Sequence, residues 1–359
     1  MKARIAINGA FAGRPVTGLE RFALECVRSL DACVEPGRFV LVVPRQTDVS
    51  SLPTLKNIAV VRFGRFQGVT WEQVSFACYV RVHGLRALSL CNTAPILAPG
   101  VVCIHDVFYR SRATDFRGNI RGWLAVRWHR FQYAWCSRFA QRIVTVSRYS
   151  ASEIMRWYGV PPERITIAGN GWEHITRIEV DDGIFARFPA LAAGGYFLAL
   201  GSRAPNKNFQ WIARSAACNP KALFAIAGGR LKSAHADTED SVDNMKFLGR
   251  VTDGEMKALL LRCRALVFPS EEEGFGIPPL EALSLGRPVL VADRPPMREI
   301  YGEAVHYIPT ETIGSQDNGL ENGMSGPVEP PGDVLARHTW DNVAHAVLSA
   351  ADADGESVL

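Results

Sequence analysis

Two glutamates with seven residues between them, Glu273 and Glu281, bracket a glycine-containing turn and are the residues best placed to do chemistry. The apolar run from Ala265 to Phe268 reads as a buried strand, and Pro278 and Pro279 suit the opening of a helix. Gly274 and Gly276 allow the backbone between them to approach a ligand closely, and the free N–H groups at the helix start, at Gly276 and Ile277, face an anion. The two carboxylates then stand ready to accept hydrogen bonds from hydroxyl groups on either side of that anion. A diphosphate flanked by two polyols is a nucleotide sugar.

The rest of the chain must position this turn. At 359 residues it is too long for one core of ordinary size and suits two domains of about 150 to 180 residues each. Hydrophobic residues make up 47% and charged residues 21%, which fits a globular protein and excludes wholesale disorder. A formal charge of +4 is too small to point to nucleic acid, and no nucleic-acid partner is expected. The eight cysteines, at 26, 33, 78, 91, 103, 136, 218 and 263, form no C-x-x-C pair and have no histidine at metal-ligand spacing, so they read as small core residues in a reducing compartment. No metal site is expected. The opening residues run straight into a strand without a signal-peptide pattern, and no stretch approaches the roughly 18 apolar residues of a membrane span, so a cytoplasmic protein is expected.

Strand patterns at 4–8, 38–43, 58–62, 87–90, 101–104 and 142–146 alternate with helical or irregular segments, as in a parallel α/β sheet. Ligands of such sheets sit at the carboxyl ends of strands, where His105 and Asp106 follow the run 101–104. A second set of strand patterns, at 196–200, 223–227 and 265–268, begins a second domain. Arg203 and Lys207 follow its first strand, and the two cations, one a bidentate fork and one a point charge, suit a phosphate. Between 110 and 142 stand eight arginines and one acidic residue, interleaved with aromatic residues, with Leu124, Trp128, Phe131, Trp135 and Phe139 at helical spacing. Either this stripe is core with a solvated basic back, or it makes peripheral contact with an anionic membrane. Asp352-Ala353-Asp354 reads as solvated charge in a fraying tail.

The turn, together with Gly286-Arg287-Pro288-Val289, resembles the E-x7-E signature of the family 4 retaining glycosyltransferases, which have the GT-B fold of two Rossmann-like domains facing across a cleft. The resemblance extends over nearly the whole chain and is most specific from 195 to 308. It implies an acceptor-binding domain over 1–172, a linker over 173–194, a nucleotide-sugar-binding domain over 195–335, and a terminal helix over 336–350 that packs back across the domains. It implies that Glu273 contacts the transferred sugar, that Glu281 contacts the ribose, and that Arg203, Lys207 and Gly18 meet the donor diphosphate. His105, with Asp106 behind it, takes the sugar-contacting place of mannosyltransferase-like members, and Arg250 and Val251 lie beside the nucleobase.

The resemblance also implies a metal-independent hexosyltransferase that needs no cofactor. The donor expected is GDP-mannose, and the acceptor a lipid-linked or saccharide chain in surface polysaccharide biosynthesis at the inner face of the membrane. A UDP-sugar donor, a non-hydrolysing sugar-nucleotide epimerase and a non-catalytic carbohydrate-binding module are the alternatives. Residues 310–333 depart from the family pattern and read as loop.

Overall fold

The structure, a computed structural model, describes residues 4–50, 52–111, 120–200, 205–228, 243–310, 320, 324 and 326–353. The chain divides into two compact units, one of residues 1–171 with 338–359 and one of residues 172–337.

The first unit holds a seven-stranded, all-parallel sheet of β1 (Ile5–Asn8), β2 (Phe39–Pro44), β3 (Ala59–Phe63), β4 (Arg86–Ser89), β5 (Val101–Cys103), β6 (Arg142–Thr145) and β7 (Ile165–Ile167). Its order is β3-β2-β1-β4-β5-β6-β7. The inner strands are continuous apolar runs because both faces of a parallel sheet are covered. The chain reverses direction across the sheet between β1 and β4, which opens a crevice at their carboxyl ends. Gly9 follows β1 there, and a Cβ on it would lie 2.4 Å from the Val42 carbonyl oxygen, so the close passage of the first loop requires glycine. The helix Gly18–Cys33 buries Phe22, Ala23, Cys26, Val27 and Leu30 at helical spacing.

The terminal helix Trp340–Asp352 belongs to this unit. Thr339 caps it by accepting from Asn342 N at 3.1 Å, and Trp340 lies edge-on to Phe22 at 6.2 Å. Asp352 pairs with Arg38, and Arg86 Nη1 donates to Ala351 O at 2.7 Å. Asp352 is therefore an anchored helix end rather than the solvated tail expected of it; its partner lies 314 residues away in sequence. Of the cysteines, 26, 103, 136 and 263 are buried as expected of core residues, whereas Cys78 is exposed.

The second unit holds a six-stranded parallel sheet of β8 (Phe197–Leu200), β9 (Phe224–Ala227), β10 (Met245–Gly249), β11 (Ala265–Phe268), β12 (Val289–Ala292) and β13 (His306–Ile308). The order β10-β9-β8-β11-β12-β13 is that of a doubly wound sheet, with its reversal between β8 and β11. Residues 173–194, expected as linker, are built into this unit. Ile175, Ile184, Phe185 and Leu191 are buried, and Lys257 Nζ donates to Ile178 O at 2.7 Å. Apolar residues scattered through a polar stretch gave that segment a packed face which its overall composition concealed.

The helix Ile120–Phe139 shows which face of the basic stretch is packed. Val126, Tyr133 and Cys136 face the core of the first unit, while Trp123, Leu124, Phe131 and Phe139 are exposed. The expected stripe is thus mainly the outer face. Arg127 lies over Trp123 at 4.7 Å and Arg138 over Phe139 at 5.5 Å.

Candidate active site

The reversal point of the second sheet brings the loop after β8 against the loop after β11, and hydrogen bonds lace the two together. Glu271 N donates to Asn206 O at 2.8 Å, Asn206 Nδ2 donates to Glu272 O at 3.0 Å, and Ser270 Oγ lies 3.0 Å from the Asn206 carbonyl oxygen. Lys207 is thereby placed over the Phe268 ring at 5.2 Å and forms an ion pair with Glu273. The Ser270 hydroxyl donates to the same Glu273 oxygen, Oε1, at 2.6 Å. The carboxylate is held by two donors.

Gly276 sits one residue before the helix Ile277–Ser284, with φ +88°, in the left-handed region that favours glycine. No side chain caps that helix, and because 278 and 279 are prolines the N–H groups that open it are those of Gly276 and Ile277. The buried Tyr301 hydroxyl donates to Gly276 O and fixes the strained residue. Burial, with Glu273 and Glu281 nearby, holds that phenol well above its ordinary range, so it remains a donor. Glu281, on the first turns of the helix, accepts from His174 Nε2 at 2.6 Å. A carboxylate can only accept, so this nitrogen carries the proton.

In the first unit His105 stands at the carboxyl end of β5, 7% exposed, with its ring edge-on to Phe22 at 4.5 Å. Its Nε2 lies 2.9 Å from Leu90 O, so that nitrogen donates. Burial pushes its pKa down to about 4, against a smaller opposing pull from the Leu90 carbonyl and Glu20, and the ring is neutral at physiological pH. Asp106 accepts from Phe108 N at 3.0 Å and opens the short helix Phe108–Ser111. Gly18 is exposed at the start of its helix, where Thr17 N donates to Glu20 Oε2 at 3.2 Å. An acidic group therefore already occupies the first turn of the helix that was expected to meet a phosphate.

Lys207, Glu273, Gly276, Ile277 and Glu281 share the loops and helix at the reversal point of the second sheet, and Arg250 and Val251 lie in the same unit between β10 and the helix Asp253–Arg262. His105, Asp106 and Gly18 belong to the first unit. Arg203 lies outside the described residues. Sequence reasoning missed Ser270, Tyr301, Asn206 and His174. Ser270 lies beside the signature and Tyr301 ends the proline-started helix Pro295–Tyr301, but nothing local marks either as a support for the turn. Asn206 adjoins Lys207 and could have been weighed with it. His174 sat in a stretch dismissed as linker.

A buried carboxylate, Glu72, was also overlooked at the reversal point of the first sheet. It accepts from Asn8 Nδ2 at 2.7 Å and Thr93 Oγ1 at 2.9 Å, and burial raises its pKa despite those donors. Among the described residues no His, Cys, Asp and Glu group is arranged to hold a metal ion, and no helix is long and apolar enough to cross a membrane.

Comparison with known proteins adds an independent line. Residues 189–319 match the family described as glycosyl transferases group 1, and residues 79–174 match glycosyltransferase family 4. The chain is 26% identical over 297 residues to the O-antigen chain mannosyltransferase RfbU of Salmonella typhimurium, covering 79% of each chain. It is 30% identical over 186 residues to O-antigen chain mannosyltransferase B of Escherichia coli, covering 46% of each. Its fold is similar to that of Anabaena HepE, whose crystal structure contains UDP and glucose, with a TM-score of 0.67 at 16% identity over 97% of this chain and 98% of that one. Two parallel sheets of Rossmann type, a glycine-strained turn between two glutamates and matches in both units place the chain in glycosyltransferase family 4, with the GT-B fold.

Proposed function

We propose that the protein is a retaining mannosyltransferase that uses GDP-mannose to extend a lipid-linked or saccharide acceptor in surface polysaccharide biosynthesis. The observation that carries this reading is the pair Glu273 and Glu281 on either side of the uncapped helix start at Gly276, with Lys207 against the first carboxylate. In the reaction the bond between the sugar's anomeric carbon and the diphosphate breaks, and the acceptor oxygen bonds to that carbon on the same face. The acceptor's proton passes to an oxygen of the departing diphosphate. Lys207 and the helix N–H groups stabilise the charge left on that diphosphate, each charge-assisted hydrogen bond contributing roughly 1.5 to 3 kcal/mol. Glu273 holds the sugar, and Glu281 the ribose. The neutral His105 takes part as a hydrogen-bonding and packing group rather than as a base.

The names of the O-antigen mannosyltransferase relatives favour mannose, and with it a guanosine diphosphate carrier. The UDP bound to Anabaena HepE belongs to a chain that shares only the fold. The outer face of the helix Ile120–Phe139, with exposed aromatic residues under arginines, supports work at an anionic cytoplasmic membrane face. Sedimentation with phosphatidylglycerol-containing vesicles, and not with phosphatidylcholine alone, tests that part.

Incubation with a panel of GDP- and UDP-sugars tests the activity. Slow release of GDP from GDP-mannose, accelerated by a mannose-accepting glycan, is expected. Isomerised donor without acceptor would instead identify an epimerase, release of UDP alone a different donor, and binding without turnover a carbohydrate-binding module.

A further inference from the structure

His174 lies in the stretch 173–194, far from the signature in sequence, yet its ring Nε2 sits 2.6 Å from Glu281 Oε1. The histidine side chain is 1% exposed and that of Glu281 15%, so the ring is a fixed part of the second unit while the carboxylate still reaches solvent. Two further hydrogen bonds and one buried side chain within this unit hold the neighbourhood. Trp172 Nε1 donates to Leu335 O at 3.0 Å, Trp172 N bonds to Glu173 Oε2 at 3.0 Å, and Ile175 is buried one residue after the histidine. A glutamate on a helix otherwise samples several rotamers, and freezing them at the moment of binding costs affinity.

We infer that His174 is a positioning residue that holds the Glu281 carboxylate by one oxygen and presents the other to the vicinal hydroxyls of a nucleotide ribose. Through Glu281 it sets the preference of the site for ribonucleotides over their deoxy counterparts. The inference rests on the ribose role given to Glu281 above. It assigns His174 no contact with the reacting atoms, and its effect falls on donor affinity.

The test is calorimetric binding of GDP, UDP and their 2′,3′-dideoxy counterparts to the full chain, which needs no acceptor. Wild type is expected to bind at least one ribonucleoside diphosphate more tightly than its dideoxy form. His174→Ala should weaken the ribonucleotide by about ten-fold and leave the dideoxy form unchanged, the size expected when one side chain must be ordered on binding. His174→Gln, whose amide can still donate to Glu281, should restore most of the loss. In a Glu281→Ala background, His174→Ala should have no further effect. Where His174→Ala fails to fold, His174→Asn, too short to reach, is set against His174→Gln.

Equal weakening of ribo and dideoxy forms would overturn the inference and leave His174 a structural residue, as would unchanged binding. Wild type that discriminates, combined with a Glu281→Ala variant that still discriminates, overturns the ribose role of Glu281. Wild type that binds neither diphosphate overturns the reading of the whole site.

Discussion

Lys207 and Glu273, separated by 66 positions in the chain, are joined as an ion pair at the reversal point of the second sheet, and Ser270 donates to the same carboxylate oxygen. The cation expected to meet the diphosphate and the anion expected to hold the sugar thus orient each other. A diphosphate arriving beside Lys207 finds the positive charge already aimed and the carboxylate already fixed, so little reorganisation is left for the reaction.

Lys207→Ala is expected to lower kcat/KM for the donor by about 100-fold, corresponding to loss of roughly 2.7 kcal/mol of charge stabilisation. Lys207 is more than a quarter exposed, so its ion pair adds little to folding. Its thermal midpoint should stay within a few degrees of wild type. Full donor hydrolysis or transfer by this variant would remove Lys207 from the site.

Gly276→Ala tests the turn itself. An added Cβ would sit 3.3 Å from the Phe268 ring and 3.4 Å from Met297 Cε, on a backbone with φ +88°. Relaxing that strain moves the leading N–H groups of the helix Ile277–Ser284. The variant should lose about 1 to 3 kcal/mol of stability in urea unfolding and most of its affinity for nucleoside diphosphate. Unchanged affinity would show that the helix start does not meet the ligand.

His105 gives the chain a pH-dependent stability of predictable sign. Its folded pKa, about 4, lies below the roughly 6.5 of an unfolded histidine, so between these values the unfolded chain binds more protons. Stability contributed by this residue is full above pH 6.5 and falls as the solution is acidified toward pH 4, by an amount of the order of 3 kcal/mol. Urea unfolding of wild type and His105→Gln across that range should show a steeper acid loss in wild type. Parallel curves would mean that the ring is not buried neutral. For the same reason His105 should add no ionisation to the pH–rate profile between pH 6 and 8.

Chelation is expected to leave transfer unchanged, because Lys207 and the helix N–H groups supply the positive potential that a divalent ion provides elsewhere. Initial rates with EDTA, and with added magnesium or manganese, check this. A rate that collapses with EDTA and returns with metal would assign the leaving-group charge to an ion.

Two parallel sheets and the strained turn were legible in the residues because their causes are local. Apolar runs such as Val101–Cys103 and Ala265–Phe268 are what a strand covered on both faces requires, and glycine beside a proline-started helix marks a left-handed backbone wherever it stands. The pair Glu273 and Glu281 was legible on the same ground, since a turn and one helical turn separate them.

What covers a surface was not legible. Periodicity reveals that the helix 120–139 has an aromatic stripe, but only the packing of Val126, Tyr133 and Cys136 into the first unit decided that Phe131 and Phe139 face outward. Partners distant along the chain were hidden for a related reason. The strand order β10-β9-β8-β11 brings Lys207 to Glu273, and the folding of residues 172–194 onto the second unit brings His174 to Glu281, 107 positions away. Such pairings depend on which elements lie side by side, which no window of sequence contains; the chain by itself determined the two glutamates and their turn, and the tertiary structure decided what holds each of them.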